Sequence, residues 1–308
     1  MSEKNSSVLQ KNTASHSPLI PFLRIMTTFT KPRFLCIAFA VCLTAGLISS
    51  TAVQAQSPTD KEPTARTVKY AQEIRPMEFH VHVRGGMTPE KCAERQKRLG
   101  IRIGALENHG RGWPYDTDAK LLELIKWVKK AGLPVGIQVN DRDWYKQISP
   151  EVRQQLDYVL ADTMIMPDEE GGEPKKMWLP GNVTVDVNDE AAVQAWMDRY
   201  MKHCLQVVSE PITILANPTY LPPPLEKRTD LWTPERMDAL INSAVKNNVA
   251  LEINAETYPS PEFIKRAKKA GAKFTIGVNN FTDNIRSYDR VWDMIEQCGL
   301  TEDDFLRL

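Results

Sequence analysis

The 308-residue sequence predicts an α/β protein in which seven parallel strands alternate with helices and close into one barrel, a (β/α)7 arrangement. Three observations predict it. From Met77 onward, short apolar runs alternate with amphipathic stretches, the pattern of parallel strands joined by right-handed helical crossovers. The amphipathic stretches carry helix start and stop residues where they belong. Polar residues recur at the C-terminal ends of nearly every strand pattern, which favours a barrel, because a barrel gathers those ends at one mouth.

Residues 56–76 are polar and proline-bearing and read as a flexible lead-in to a barrel domain over 77–308. "MEFHVHV" is the first strand pattern. In "TPEKCAERQKRLG" Thr88 fits a helix N-cap, Pro89 the first turn and Gly100 the stop. "IRIGALEN" and the helix pattern "DAKLLELIKWVKKAG" follow, then "PVGIQVN", a short helix around "SPEVRQQL", and "DYVLAD". Residues 166–189 break the rhythm with Gly, Pro and charge and read as an inserted, lid-like loop. Three further pairs complete the count: helix "EAAVQAWMDRYMKHCLQVV" with strand "ITILAN", helix "TPERMDALINSAVKNN" with strand "ALEIN", and helix "SPEFIKRAKKAG" with strand "KFTIGVNN". A last helix lies near "RVWDMIEQCG", and there is no internal repeat.

The first 55 residues read as an export signal with an extended n-region. "KPRF" is basic, "FLCIAFAVCLTAGLIS" apolar, and "AVQAQS" offers small residues for cleavage after Ala55. The apolar run is shorter than the roughly 20 residues that span a bilayer, so the expectation is an exported, periplasmic or extracellular protein that meets the membrane only during export. Net charge is +0, but up to Gln56 five basic residues face only Glu3, so the remainder is mildly acidic. No basic run with interleaved aromatics points to nucleic acid. Cys92, Cys204 and Cys298, widely spaced, read as buried apolar residues and not as a disulfide framework.

The strand ends carry the candidate chemistry. His80 and His82 stand on the first strand; Glu107, Asn108 and His109 end the second. Gln138 and Asn140, Asp162, Asn217, Glu252 with Asn254, and Asn279 with Asn280 end the others in turn. Residues two apart on a strand face the same way, so His80 and His82 point at one place. With His109 they would form a three-imidazole shell around one cation, leaving a position for an activated water. Equally, His-x-His is a common half-buried polar strand. Arg84, Arg111 and Arg142 follow strand ends closely and would either pair with carboxylates or clamp an anionic substrate. Trp113, Trp144 and Trp178 fall near the same rim, suited to packing or to stacking on a ligand. His203 reads as a surface or interface residue of a helix.

The stretch "FHVHVRGGMTPEKCAERQKRLGIRIGALENHG" resembles the opening of the PHP (polymerase and histidinol phosphatase) superfamily, and the resemblance continues through "LEIN" and "FTIGVNN". It implies a seven-stranded, TIM-like barrel of PHP type, a site of two or three metals and phosphoester hydrolysis. The departures are Gln138, Met164, Asn217 and the run Asn279–Asn280–Phe281, which stand where the family carries a bridging glutamate and further ligands. A neutral amide cannot bridge two cations as a carboxylate does, so at most one cation is expected.

The leading expectation is an exported metal-dependent hydrolase acting on a small, anionic or sugar-like molecule, with phosphoesters as the substrate class that the resemblance implies. His80, His82 and His109 would hold one zinc or manganese ion, with a carboxylate from Asp162 or Glu252. Glu107 is the candidate general base, with Arg142 beside it as a catalytic candidate. Arg111, Asn140, Asn217, Asn254 and Asn279 are the candidate substrate contacts. The alternative is a non-catalytic, metal-free barrel, since a mouth rich in asparagine offers donors and acceptors suited to a hydroxyl-rich ligand. An amidohydrolase-like enzyme ranks below both, because its late histidines are missing.

Overall fold

The computed structural model describes residues 63–308. The expected signal segment, residues 1–55, lies outside them. Seven strands form a closed parallel barrel: β1 (Met77–His82), β2 (Arg102–His109), β3 (Val135–Val139), β4 (Tyr158–Ala161), β7 (Ile214–Leu215), β8 (Ala250–Asn254) and β9 (Phe274–Gly277), with β9 returning to β1 through Glu78 and Ile276. These are the seven strand patterns of the sequence, in order. Between β4 and β7 lies an antiparallel pair, β5 (Ile165–Pro167) and β6 (Pro174–Lys176).

The outer layer is helical: α2 (Pro89–Leu99), α3 (Asp118–Lys130), α4 (Pro150–Arg153), α5 (Glu190–Val208), α6 (Pro234–Lys246), α7 (Pro261–Lys269) and α8 (Asp289–Cys298). Thr88, Thr117, Ser149, Asp189, Thr233 and Ser260 each accept a first-turn N–H. Four of these helices follow the cap with proline, whose missing N–H costs nothing there. Gly100 ends α2 at φ 71°, a conformation that favours glycine. No helix among the described residues is long and apolar enough to cross a membrane. Cys92, Cys204 and Cys298 are buried free thiols.

Two expectations need correction. Residues 56–76 are not all flexible lead-in: α1 spans Ala65–Glu73, capped by Thr64. It packs on α8, where Tyr70 stacks on Trp292 at 5.1 Å and the Trp292 indole donates to Thr67 Oγ1 at 3.1 Å. Residues 166–189 are not a structureless loop either. The β5–β6 hairpin buries Met166 and Met177 against the core, and Asp168 accepts from the Thr184 hydroxyl at 2.6 Å.

Position along the barrel axis follows from β1. Its pairing with β2 steps from Glu78–Ile103 to Val81–Ala105, three residues against two, so β1 carries a bulge. Met77 and Phe79 lie in the lower interior cluster with Tyr158, while Val81 and Val83 join the outer cluster that includes the helices. The extra residue reverses the alternation, and His80 and His82 turn inward above Phe79. The Glu78 carboxylate accepts the His80 backbone N–H at 3.1 Å, and the Tyr288 hydroxyl donates to it at 2.9 Å. The barrel floor is thus apolar and the upper half polar.

Candidate functional site

The upper half holds a chain of polar side chains, each fixed by its neighbours. His80 is fully buried, with Nδ1 2.7 Å from Glu252 Oε1 and Nε2 3.2 Å from Gln138 Oε1. The Gln138 amide nitrogen donates to Asp162, whose other oxygen accepts the Met164 N–H at 2.9 Å. Both His80 nitrogens therefore face acceptors, the arrangement of an imidazolium. Burial alone would lower its pKa, but Glu252, Asp162 and Glu78 outweigh burial and raise it. Gly277 makes the room: a Cβ there would lie 1.7 Å from Glu252 Oε1.

His82 is in the opposite state. Its ring centroid is 5.2 Å from that of His80, and Arg84 Nη2 hydrogen-bonds its Nδ1. A guanidinium only donates, so His82 Nδ1 accepts and the ring is neutral. Burial first, then the charges of Arg84 and His80, hold its pKa well below the ordinary value. The same Arg84 nitrogen donates to Asn108 Oδ1, and Arg84 Nε donates to Glu107 Oε1 at 3.2 Å. Burial raises the Glu107 pKa and Arg84 pulls it back. Arg84 is aimed inward by the next two residues: a Cβ on Gly85 would fall 2.1 Å from the Phe281 carbonyl oxygen, so only glycine lets the loop pass. Asn280 fastens the seam beside it, accepting from His82 N at 2.8 Å and donating to His82 O at 3.0 Å.

Above this floor lies a cavity of about 280 Å³. His82, Arg84, Asn108, Gln138 and Asp162 line its base; Asn217, Asn254 and Asn279 line its sides. Trp113, Trp178, Tyr220 and Phe281 form an aromatic rim, with Phe281 68% exposed. Lys176 lies over Trp113 at 4.6 Å and Trp178 at 5.9 Å. Asn217 and Asn279 sit at φ 47° and 45°, left-handed conformations that asparagine tolerates and that cluster at functional sites.

Several expected site residues are elsewhere. His109 lies outside the cavity lining; its Nδ1 meets the Tyr115 carbonyl at 2.6 Å, and its buried Nε2 has no hydrogen-bond partner among the described residues. Arg142 does not reach the cavity. It pairs with Glu210 at 3.0 Å and lines a separate groove of about 870 Å³ beside α5. Arg111 is exposed and takes part only through its backbone N–H, donated to Asp141 at 2.8 Å. Asn140 is buried outside the cavity lining. Glu252 lies beneath the cavity, accepting from Asn217 N and Asn254 Nδ2 at 3.0 and 3.2 Å as well as facing His80. Trp144 is fully buried, not on the rim, and His203 is buried, not on the surface. Sequence reasoning missed Tyr220, Glu256 and Thr257 as cavity residues, although Tyr220 and Thr257 each stand three residues beyond a strand-end asparagine.

The donors do not fit a three-imidazole cation site. Each His80 nitrogen is already engaged, His109 lies outside the cavity that His82 lines, and the Arg84 cation is bonded to His82, Asn108 and Glu107. Among the described residues, no group of three or more His, Cys, Asp or Glu side chains is arranged to hold a metal ion.

The class these features define is a closed seven-stranded α/β barrel, TIM-like, with a polar mouth rimmed by aromatics. No family model and no curated protein matches the chain. Among solved structures it is similar to histidinol phosphate phosphatase from Lactococcus lactis subsp. lactis Il1403, complexed with zinc, L-histidinol and phosphate: 15% identity, 76% of this chain and 99% of that one, TM-score 0.49. It is also similar to a β-mannanase from Thermomonospora fusca complexed with mannotriose, at 14% identity over 73% of this chain and 76% of that one, TM-score 0.39. Rhizobium etli pyruvate carboxylase aligns at 11% identity over 77% of this chain but 20% of its own length, TM-score 0.40.

Proposed function

We propose that this chain is a divergent barrel of PHP type whose mouth binds a small, hydroxyl-rich, sugar-like molecule without a metal. The observation that carries the reading is Arg84, a resident cation bonded to His82, one of the expected metal ligands, and to Asn108 and Glu107. The mouth carboxylates support a binding role. Glu107 is engaged by Arg84, Asp162 by Gln138 and Met164 N, Glu252 by His80, and Glu256 by Arg286 at 2.6 Å. The asparagine amides with the aromatic rim suit hydroxyl groups and the apolar faces of sugar rings. Export supplies the setting: the order of basic, apolar and small residues up to Ala55 supports a periplasmic or extracellular site of action.

A one-cation hydrolase is the second reading. One observation favours it: the His80 and His82 rings are adjacent, and His82 shares the cavity with Asp162. It requires Arg84 to leave. Metal analysis of purified protein, paired with calorimetric titration of hexoses, tests both readings. Metal-free protein that binds a sugar is the expected result. Stoichiometric zinc or manganese that is lost in His82→Ala would replace the binding reading with the hydrolase.

A further inference from the structure

We infer that the hydroxyl-rich ligand of the mouth is a sugar acid of the uronic type, its carboxylate held by the unspent edge of Arg84 and by the amide of Asn108. The inference names the ligand class of the mouth and rests on the hydroxyl-rich reading of it.

A guanidinium has more N–H donors than Arg84 has spent. Its Nε donates to Glu107, and Nη2 donates to both His82 Nδ1 and Asn108 Oδ1. The Nη1 nitrogen has no hydrogen-bond partner among the described residues, and it is not sealed from solvent. The Arg84 side chain keeps 28% of its surface exposed, while Glu107, His82 and Asn108 around it keep 4% or less. Nη1 is therefore the edge that Arg84 presents to the cavity it lines.

Asn108 is the second observation. A guanidinium only donates, so Arg84 fixes the Asn108 amide with Oδ1 toward itself and leaves Nδ2 as a donor next to it. Asn108 is buried and lines the cavity, yet Nδ2 has no partner among the described residues and is not sealed either. The base beside Arg84 thus offers unspent donors. A carboxylate matches them with two acceptor oxygens and no proton, and its bonds to a guanidinium are about twice as strong as those of a neutral oxygen. Asp162, the other charged group at the base, has both oxygens occupied, by the Gln138 amide and the Met164 N–H, and the His80 imidazolium lies close enough to offset its charge. At the rim Glu256 is paired with Arg286 at 2.6 Å, and Lys176 over Trp113 and Trp178 adds a cation.

The test is calorimetric titration of the full chain at low salt with glucose, galactose and mannose, and with glucuronate, galacturonate and mannuronate. N-acetylglucosamine and glucose 6-phosphate stand beside them as a neutral acceptor and a different anion. At least one uronate should bind about tenfold or more tightly than its own hexose, the range of a charge-assisted hydrogen bond, and the ratio should shrink as salt is raised. Asn108→Asp keeps the acceptor for Arg84 and turns the donor into a charge of the ligand's own sign; it should bring the uronate down to its hexose or below. The double variant Arg84→Ala/Glu107→Gln, which strands no carboxylate, should also lose the uronate and carries the test if Asn108→Asp does not fold. Three results overturn the inference alone: no uronate tighter than its hexose, uronate affinity that survives in both variants, or N-acetylglucosamine or glucose 6-phosphate binding more tightly than the best uronate. Failure of every one of these sugars to bind the wild type overturns the reading of the mouth, and the inference with it.

Discussion

Arg84 shows how one side chain can decide what a site does. In the sequence it stands two residues past His-x-His and is one of three arginines near strand ends; nothing in the spacing singles it out. The fold does, because the glycine pair turns the chain back against Phe281 and leaves Arg84 beside Glu107. Replacing Arg84 with alanine strands a nearly fully buried carboxylate. Breaking a buried pair from one side costs about 3–5 kcal/mol, and Arg84 keeps some exposure, so the lower end is expected in denaturant unfolding. The double variant Arg84→Ala/Glu107→Gln should recover most of that stability and none of the sugar affinity. If Arg84→Ala instead acquires stoichiometric zinc, the guanidinium was screening a latent metal site and the binding reading falls. The same holds for His109: sequence places it at a strand end, but only the folded chain shows its Nδ1 on the Tyr115 carbonyl and its ring outside the cavity that His82 lines.

The strands and helices were largely legible because their signals are local. Alternation marks strands, and a Ser or Thr before Pro marks a helix start whatever surrounds it. What escaped depends on partners. Helix α1 is short and polar, and it holds because Tyr70 and Thr67 find Trp292 on α8, more than two hundred residues away. The β1 bulge is another case: period-two alternation puts His80 and His82 on one face but cannot say which, and an extra residue reverses the answer. Gly277 on β9 tests that geometry. A methyl group there would lie 1.7 Å from Glu252 Oε1 and 2.9 Å from the His80 Cβ, and both side chains are fully buried. Gly277→Ala should cost several kcal/mol in chemical denaturation, beyond the usual 1–3 kcal/mol of overpacking, because it also parts a buried hydrogen-bonded pair. A loss under about 1 kcal/mol would mean that the Glu252–His80 contact is loose.

At the scale of the full chain, export and pH response are the measurable properties. Protein recovered from the host envelope should begin near Gln56 by mass spectrometry; an intact first residue would remove the case for cleavage. The pH response follows from two buried groups that pull in opposite directions. Burial raises Glu78 from its ordinary 4.5 to about 7. Between those values the folded protein holds a proton that the unfolded chain has lost, so stability falls as pH rises. Burial lowers His203 from 6.5 to about 4, with Arg142 adding to the effect. Between those values the unfolded chain takes a proton that the folded protein refuses, so stability rises with pH. Each shift corresponds to roughly 3 kcal/mol across its window. From pH 5 to 6.5 the two slopes nearly cancel, and the wild type should change by less than about 1 kcal/mol from these groups. Single variants expose what the pair conceals. His203→Gln should lose about 2 kcal/mol on going from pH 5 to 6.5, and Glu78→Gln should gain about as much over the same interval. Urea unfolding at both pH values measures each slope directly. If neither variant departs from the wild-type slope, the two groups are more solvated in the folded protein than their burial implies.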